Sequence, residues 1–406
     1  LQPLATFISS SHTKNPSNLE AAAAVRERDA QADALTGALL PAATAQGVYT
    51  RNQYEAAVAL PGGPEIIITP RDGLDAFFTL DVPIIQLELW GQRAAAKTLS
   101  KAAAARRDFT QLTVEENVTR AYYELLGHEA ALRSTKQGLE VAENLRRLVS
   151  TRVDVGIASN LDLQRAIAEV ARREQELAVA EQNVAIARRE LESLSRTTPE
   201  AATDADFVPD DLREEGPLSS WLKPNNDDLV SVRPSVLDTE AARQSRRAAQ
   251  AAWLPTVGGQ AQEHLTNATG FTGRSSIYTL SVAATWRLDF TLAPNVRERT
   301  AVLSGATARE DQARRDADDA IFNAWQQVRA NIERARAARP QVEAATLALT
   351  LARDRYENGV ATQLDVIQAQ RDQLEAEIAS IQAQANLRYA RALLRLVSRR
   401  STEQKP

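Results

Sequence analysis

The chain has 406 residues, 25% of them charged, a formal net charge of −5 and a pI near 5.6; acidic and basic residues are interspersed, so no basic patch exists and nucleic acid is excluded as an expected partner. Cysteine is absent, which excludes disulfides, thiolate metal sites and a lipidated N-terminal cysteine in this chain. Only 5% of residues are aromatic, a composition that suits long thin helices better than a thick core. Methionine is also absent, initiator included, and a removed leading segment such as a secretory signal peptide is expected. No apolar run approaches the roughly 18 residues of a membrane-spanning helix, so any bilayer crossing must be made by strands.

In chain order, an N-terminal helix around Asn15-Pro16-Ser17 is followed by a weakly patterned strand at about 42–60 and a loop from Pro61-Gly-Gly-Pro64 to Gly73. Leu74, Ala76, Phe78, Leu80, Val82 and Ile84 then alternate with polar Asp75, Thr79 and Asp81, which predicts a strand at about 74–88. From Gln92 to Val153 there is no proline, and Val118, Leu125, Leu132, Leu139 and Val153 keep a seven-residue spacing interrupted only by Arg146. That predicts a helix about 90 Å long. After Gly156 the spacing restarts with Leu163, Val170, Leu177, Val184 and Leu191, so the two helices form an antiparallel hairpin. Its span is about 92–196, with a tip at 156–162.

Residues 197–232, with Pro199, Pro209, Pro217 and Pro224 among acidic residues, form a linker, with some order expected around Trp221. Beyond it come a helix, strands at about 255–266 and 277–290, a loop from Asn267 to Ser276, and a second hairpin at about 295–399 with its tip at 359–365. In the last strand Tyr278, Leu280, Val282, Ala284, Trp286, Leu288 and Phe290 are apolar against mostly polar neighbours. A tail occupies 400–406.

The order repeats because the sequence does. Gly156 and Gly359, and Asp162 and Asp365, are each 203 positions apart, as are Ala121 and Ala324, Ala187 and Ala390, Arg188 and Arg391, Leu191 and Leu394, and Ser195 and Ser398. One register runs from about Val118 to Arg196, an internal duplication. The opening Asn15-Pro16-Ser17 also resembles Arg233-Pro234-Ser235, although the following Leu-Pro lies at a different distance in each copy. The expected divisions are 1–196 (first structural repeat), 197–232 (linker), 233–399 (second repeat) and the tail.

Ten of the twenty aromatics lie in 42–90 or 253–290, beside the alternating strands, as a membrane-interface girdle requires. A core for a small soluble sheet is the competing reading, but strands of 9 to 11 tilted residues span a bilayer and soluble strands are usually 5 or 6. Four strands do not close a barrel, and an open edge in lipid leaves backbone groups unpaired at several kcal/mol each. Two chains would give eight strands and three would give twelve, and periodicity alone leaves both open.

The duplicated Gly-x-Ala-[Ser/Thr]-x-Leu-Asp turn, the Asn15-Pro16-Ser17 opening and the repeated order of helix, strand pair and long hairpin resemble the TolC-type outer-membrane efflux protein family, over residues 15 to 399. The resemblance implies a mainly α protein with transmembrane β structure: a trimeric twelve-stranded β-barrel, four strands per chain, continued by a long antiparallel α-helical coiled-coil barrel built from two tandem structural repeats. It implies a homotrimer in outer-membrane lipid that extends into the periplasm, and an export duct joined by a periplasmic membrane-fusion adaptor and an inner-membrane pump or secretion ATPase. No cofactor and no catalysis are implied.

Ser159-x-x-Asp162 and Thr362-x-x-Asp365 each fit a helix capping box. In the family such turns also form the closed periplasmic end of the tunnel, so Asp162 and Asp365 become gate candidates. Some members carry a second acid where this chain has Gln368, which implies a weaker acidic field here. Gly156, Ile157, Ala158 and Ser159, with Gly359, Val360, Ala361 and Thr362, resemble the family's adaptor-contact tips. His12, His128 and His264 show no metal spacing; Glu124 and His128 are expected to be a surface pair and Arg172-Arg173-Glu174 a solvated face. Two rivals remain: a soluble periplasmic coiled-coil adaptor or scaffold, which predicts short strands, and a helix-bundle carboxylate oxidase, for which paired Glu-x-x-His motifs are missing.

Overall fold

A computed structural model of the chain describes residues 1–59, 61–63, 65–202 and 210–401. Leu60 at the end of the first expected strand, Pro64 of the loop after it, residues 203–209 of the linker (Pro209 included) and 402–406 of the tail lie outside the described residues. The elements are α1 (Leu4–Lys14), α2 (Pro16–Gly37), β1 (Ala42–Arg51), β2 (Ala56–Ala59), β3 (Glu65–Thr69), β4 (Asp72–Ile85), α3 (Leu87–Asp154), α4 (Asn160–Ser195), α5 (Leu218–Trp221), α6 (Arg233–Ala251), β5 (Thr256–Thr266), β6 (Ser276–Thr285), α7 (Leu292–Glu357) and α8 (Gln363–Val397), with a 3₁₀ turn at Gly270–Thr272. No helix among the described residues is long and apolar enough to cross a membrane. The chain divides into two compact units, one of Leu1–Ala23, Ala105–Arg233 and Gln312–Pro406, the other of Ala24–Ala104 and Pro234–Asp311.

The second unit carries an antiparallel sheet of order β1-β4-β5-β6, in which the strand pair of each sequence copy meets the other at β4 and β5. The register aligns Tyr49 with Leu74, Ala45 with Phe78, Leu80 with Ala261, Ala261 with Leu280 and Gly259 with Val282. Because side chains alternate across a strand, all of these share one apolar face, whose charged residues are Glu263 and, at the loop end, the Arg51–Asp72 pair. The other face carries Asp75, Thr79, Asp81, Gln260, Gln262 and His264. In the protomer the large apolar side chains Phe78, Leu80, Tyr278, Leu280 and Val282 are exposed, so no soluble core covers that face.

Two expected strand ends shift. The last strand stops at Thr285 rather than near Phe290, because its partner β5 starts at Thr256, directly after Pro255, which has no N–H to continue the ladder. The first strand stops at Arg51, and the last part of the segment expected as its continuation forms a separate strand, β2, that pairs with β3 in the segment expected to be loop. Asn52 bonds back to Arg71 and Pro70 at the junction of the two ladders.

In the first unit, α1 ends because Asn15 precedes Pro16 and is forced out of helical geometry (φ −70°, ψ 128°). Its side chain compensates, accepting from the Ser17 N–H and donating to the Leu194 carbonyl at 2.9 Å. One core cluster joins Phe7 to Val114, Val118, Ala121 and Leu125 of α3 and Val184, Ala187 and Leu191 of α4. Positions duplicated in sequence are the buried ones: Val118 and Ile321, Ala121 and Ala324, Leu125 and Val328, Leu191 and Leu394 are all at most 2% exposed. The seven-residue seam drifts, however. Val118 and Leu125 are buried, Leu132 and Leu139 only partly, and burial resumes at Thr135, Ala142 and Val149, as a straight 3.6-residue helix requires against a 3.5-residue pattern.

Candidate functional site at the hairpin tips

Both hairpins end in the same backbone construction. At the first tip the N–H groups of Gly156 and Ile157 bond the carbonyls of Val153 (2.9 Å) and Arg152 (2.8 Å); at the second, Gly359 and Val360 bond Tyr356 (3.1 Å) and Arg355 (2.8 Å). This is the Schellman closure of a helix, which needs a left-handed residue. Gly156 at φ 76° and Gly359 at φ 71° supply it. The chain then turns at once into the next helix through a capping box. Asp162 N–H donates to Ser159 Oγ at 3.2 Å while the Ser159 N–H donates to Asp162 Oδ2 at 3.3 Å; the Thr362 and Asp365 distances are 3.3 and 2.8 Å. The Thr362 backbone N–H, then its hydroxyl, and the nearby positive Arg355 hold the Asp365 carboxyl below the usual carboxylate range. Asp162 also faces Arg165 at 3.7 Å.

The two tips belong to one packed cluster: Leu145, Val149 and Ala166 from the first hairpin meet Leu349, Val366, Ile367 and Ala369 from the second. The Arg152 guanidinium lies over the Tyr356 ring at 4.7 Å. What projects from this base is apolar: Ile157 is 76% and Val360 69% exposed. Ala158 and Ala361 are half-buried, while Gly156, Ser159, Gly359 and Thr362 are exposed.

On α8, Asp365, Gln368 and Asp372 are all exposed, and their spacing of three and four residues places them on one helix face. Gln368 Nε2 donates to Asp372 Oδ1 at 2.8 Å. A second acid on this face, Asp372, thus lies one turn beyond Gln368.

The reading of Arg172-Arg173-Glu174 as a solvated face is corrected at its centre. Arg173 is only 4% exposed and its guanidinium meets Glu169, 2% exposed, at 3.0 Å; Arg371 of α8 meets the other Glu169 oxygen through Nε at 3.0 Å. Burial forces this pairing, since an unpaired carboxylate there would cost several kcal/mol. Its signal was invisible locally because the bridging arginine is 202 positions away. Among the described residues no group of three or more His, Cys, Asp or Glu could hold a metal ion. His264, which the sequence left unassigned, pairs with Asp75 at 2.7 Å.

Compared with known proteins, residues 7–195 and 222–398 match the family described as outer membrane efflux protein. The chain belongs to that family. Similar proteins include the pyoverdine export outer membrane protein OpmQ of Pseudomonas aeruginosa, 27% identical over 390 residues that cover 91% of this chain and 79% of OpmQ. Solved structures with the same fold include CusC (TM-score 0.83, 14% identity, covering 97% of this chain and 91% of that one) and VceC of Vibrio cholerae (TM-score 0.81, 19% identity, 98% and 97%).

As an outer membrane efflux protein, the chain resides in the outer membrane and extends into the periplasm. Its fold class follows: transmembrane β structure joined to long helical hairpins in two tandem repeats. These proteins are named for export and channel formation, none as an enzyme, and the match is to outer-membrane proteins rather than to a soluble adaptor.

Proposed function

We propose that three chains close one twelve-stranded barrel and one helical tunnel, and that this trimer is a passive export duct opened at its periplasmic tips by an adaptor protein. The single observation that carries it is the four-stranded sheet with two free edges, β1 and β6, and an uncovered apolar face. In lipid such edges must be paired, and only further copies supply strands of matching length and pattern. The division into repeats at 1–196 and 233–399 around a linker fits the anchoring of that linker. Arg188, through Glu129, which also accepts from the Ala202 N–H, and Arg391, through Asp210 and Asp211, sit 203 positions apart and tether the linker at two points.

Adaptor contact is assigned to Gly156–Ser159 and Gly359–Thr362, where the exposed Ile157 and Val360 offer the apolar surface a partner would cover. Behind the adaptor would stand an inner-membrane pump or secretion ATPase. The gate is assigned to Asp365 with Gln368 and Asp372, and to Asp162. Three copies of these carboxylates around a narrow pore concentrate negative potential and favour cations. Conductance of the trimer in planar bilayers tests the gate: Asp365→Ala with Asp372→Ala should raise conductance and reduce cation preference, and unchanged values of both contradict it.

A further inference from the structure

The polar face of the sheet carries a ladder of side-chain contacts along the β4–β5 seam. Asp81 accepts from Gln260 Nε2 at 3.0 Å, Thr79 from Gln262 at 3.4 Å, and Asp75 pairs with His264 Nε2 at 2.7 Å. Phe77, directly opposite His264 in the register, stacks on the imidazole with ring centroids 4.3 Å apart and planes 14° from parallel. The ring is therefore held flat against the wall with its nitrogen aimed at one carboxylate. On the other side of β5, β6 presents Ile277, Thr279 and Ser281 to this face and no charge; Glu263 belongs to the opposite face, where Ser276 bonds it. The loop before β6 carries the exposed Arg274. Asp81 lies six residues along β4, about 20 Å at the rise of a strand.

All helices join the strands at one end, through Gly37–Ala42, Ile85–Leu87, Ala251–Thr256 and Thr285–Leu292. His264 lies two residues from the opposite end of β5, at Thr266. In a membrane barrel whose helices are periplasmic, that end faces the external medium.

We propose that the Asp75–His264 pair is a specificity-determining element of the barrel lumen, repeated in each protomer, whose charge is set by the protonation of His264. This rests on the trimeric-duct reading. With neutral imidazole each pair contributes one negative charge to the lumen; with imidazolium it contributes none. Imidazole is the ordinary side chain that changes charge between pH 5 and 8. The outer part of the duct therefore prefers cations at neutral pH and loses that preference in acid. Asp81, bonded to Gln260, lies in a separate layer.

The test is the reversal potential of reconstituted trimers in a KCl gradient at about pH 8 and about pH 5, at low salt, where screening extends over about 30 Å, and again near 1 M, where it falls to about 3 Å. The wild type should lose a severalfold cation preference on acidification at low salt and show almost no change at high salt. His264→Gln, which retains a polar partner for Asp75, should keep its cation preference at both pH values. Asp75→Asn should already lack it at the higher pH. Channels whose wild-type selectivity ignores pH, or whose pH dependence survives in His264→Gln, overturn the inference while leaving the duct intact. A wild-type protein that forms no channel overturns the duct and the inference together.

Discussion

At the scale of single residues, the tip depends on two kinds of position. Gly156 and Gly359 adopt a backbone conformation that a Cβ opposes although space around them is open, so Gly156→Ala or Gly359→Ala should cost about 1 kcal/mol each through conformation alone. Faster amide exchange at Ile157 or Val360 would register the loss, and unchanged exchange would contradict it. Asp365 makes a pH statement. Its folded-state carboxyl titrates below the ordinary Asp value, so its contribution is complete above an unfolded pKa of about 3.9 and is lost only as pH falls through the lower folded value. A ¹³C titration of the labelled carboxyl should give a midpoint below that of a free Asp; a midpoint at or above it would show that the capping contacts do not form. These boxes were legible, because a hydroxyl and an acid three positions apart after a glycine specify a local geometry. The Asp75–His264 pair was not, because cross-strand partners 189 positions apart leave no local trace.

At the scale of elements, duplication and burial coincide, and this makes a paired expectation. Leu191 and Leu394 are 203 positions apart and each at most 1% exposed, so Leu191→Ala and Leu394→Ala should each destabilise by about 3 kcal/mol, the ordinary cost of a core cavity. Thermal melts of the detergent-solubilised protein should drop comparably for both, and a neutral result at either would break the equivalence of the repeats. Charge follows no such symmetry. Glu169 of the first copy corresponds to Asp372 of the second, yet Glu169 is buried between Arg173 and Arg371 while Asp372 is exposed. Arg173→Ala should cost about 3 kcal/mol by leaving Glu169 underpaired, whereas Asp372→Ala should leave stability within about 0.5 kcal/mol. Helix extent and hairpin closure could be read from spacing because each is repeated over many turns. The end of β6 could not, since Trp286, Leu288 and Phe290 keep the alternation after the ladder has stopped at Pro255. The β2–β3 ladder escaped for the opposite reason: Ile66-Ile67-Ile68 is a continuous apolar run without alternation.

For the whole molecule, the proposed closure by identical copies rests on the strands, their apolar face and their aromatic ends. Tyr49 and Tyr278 lie toward the loop end of the sheet, and Trp90, Trp253, Trp286 and Phe290 toward the helix end; all are at least 43% exposed in the protomer. That spacing matches two interfacial girdles. The chain contains no cysteine, so introduced pairs report without background. With Ala45→Cys on β1 and single cysteines walked from Leu280 to Ala284 on β6, oxidation in native membranes should yield covalent ladders that end at three chains. A product confined to one chain, with β1 linked to its own β6, would contradict the shared barrel on which the duct depends.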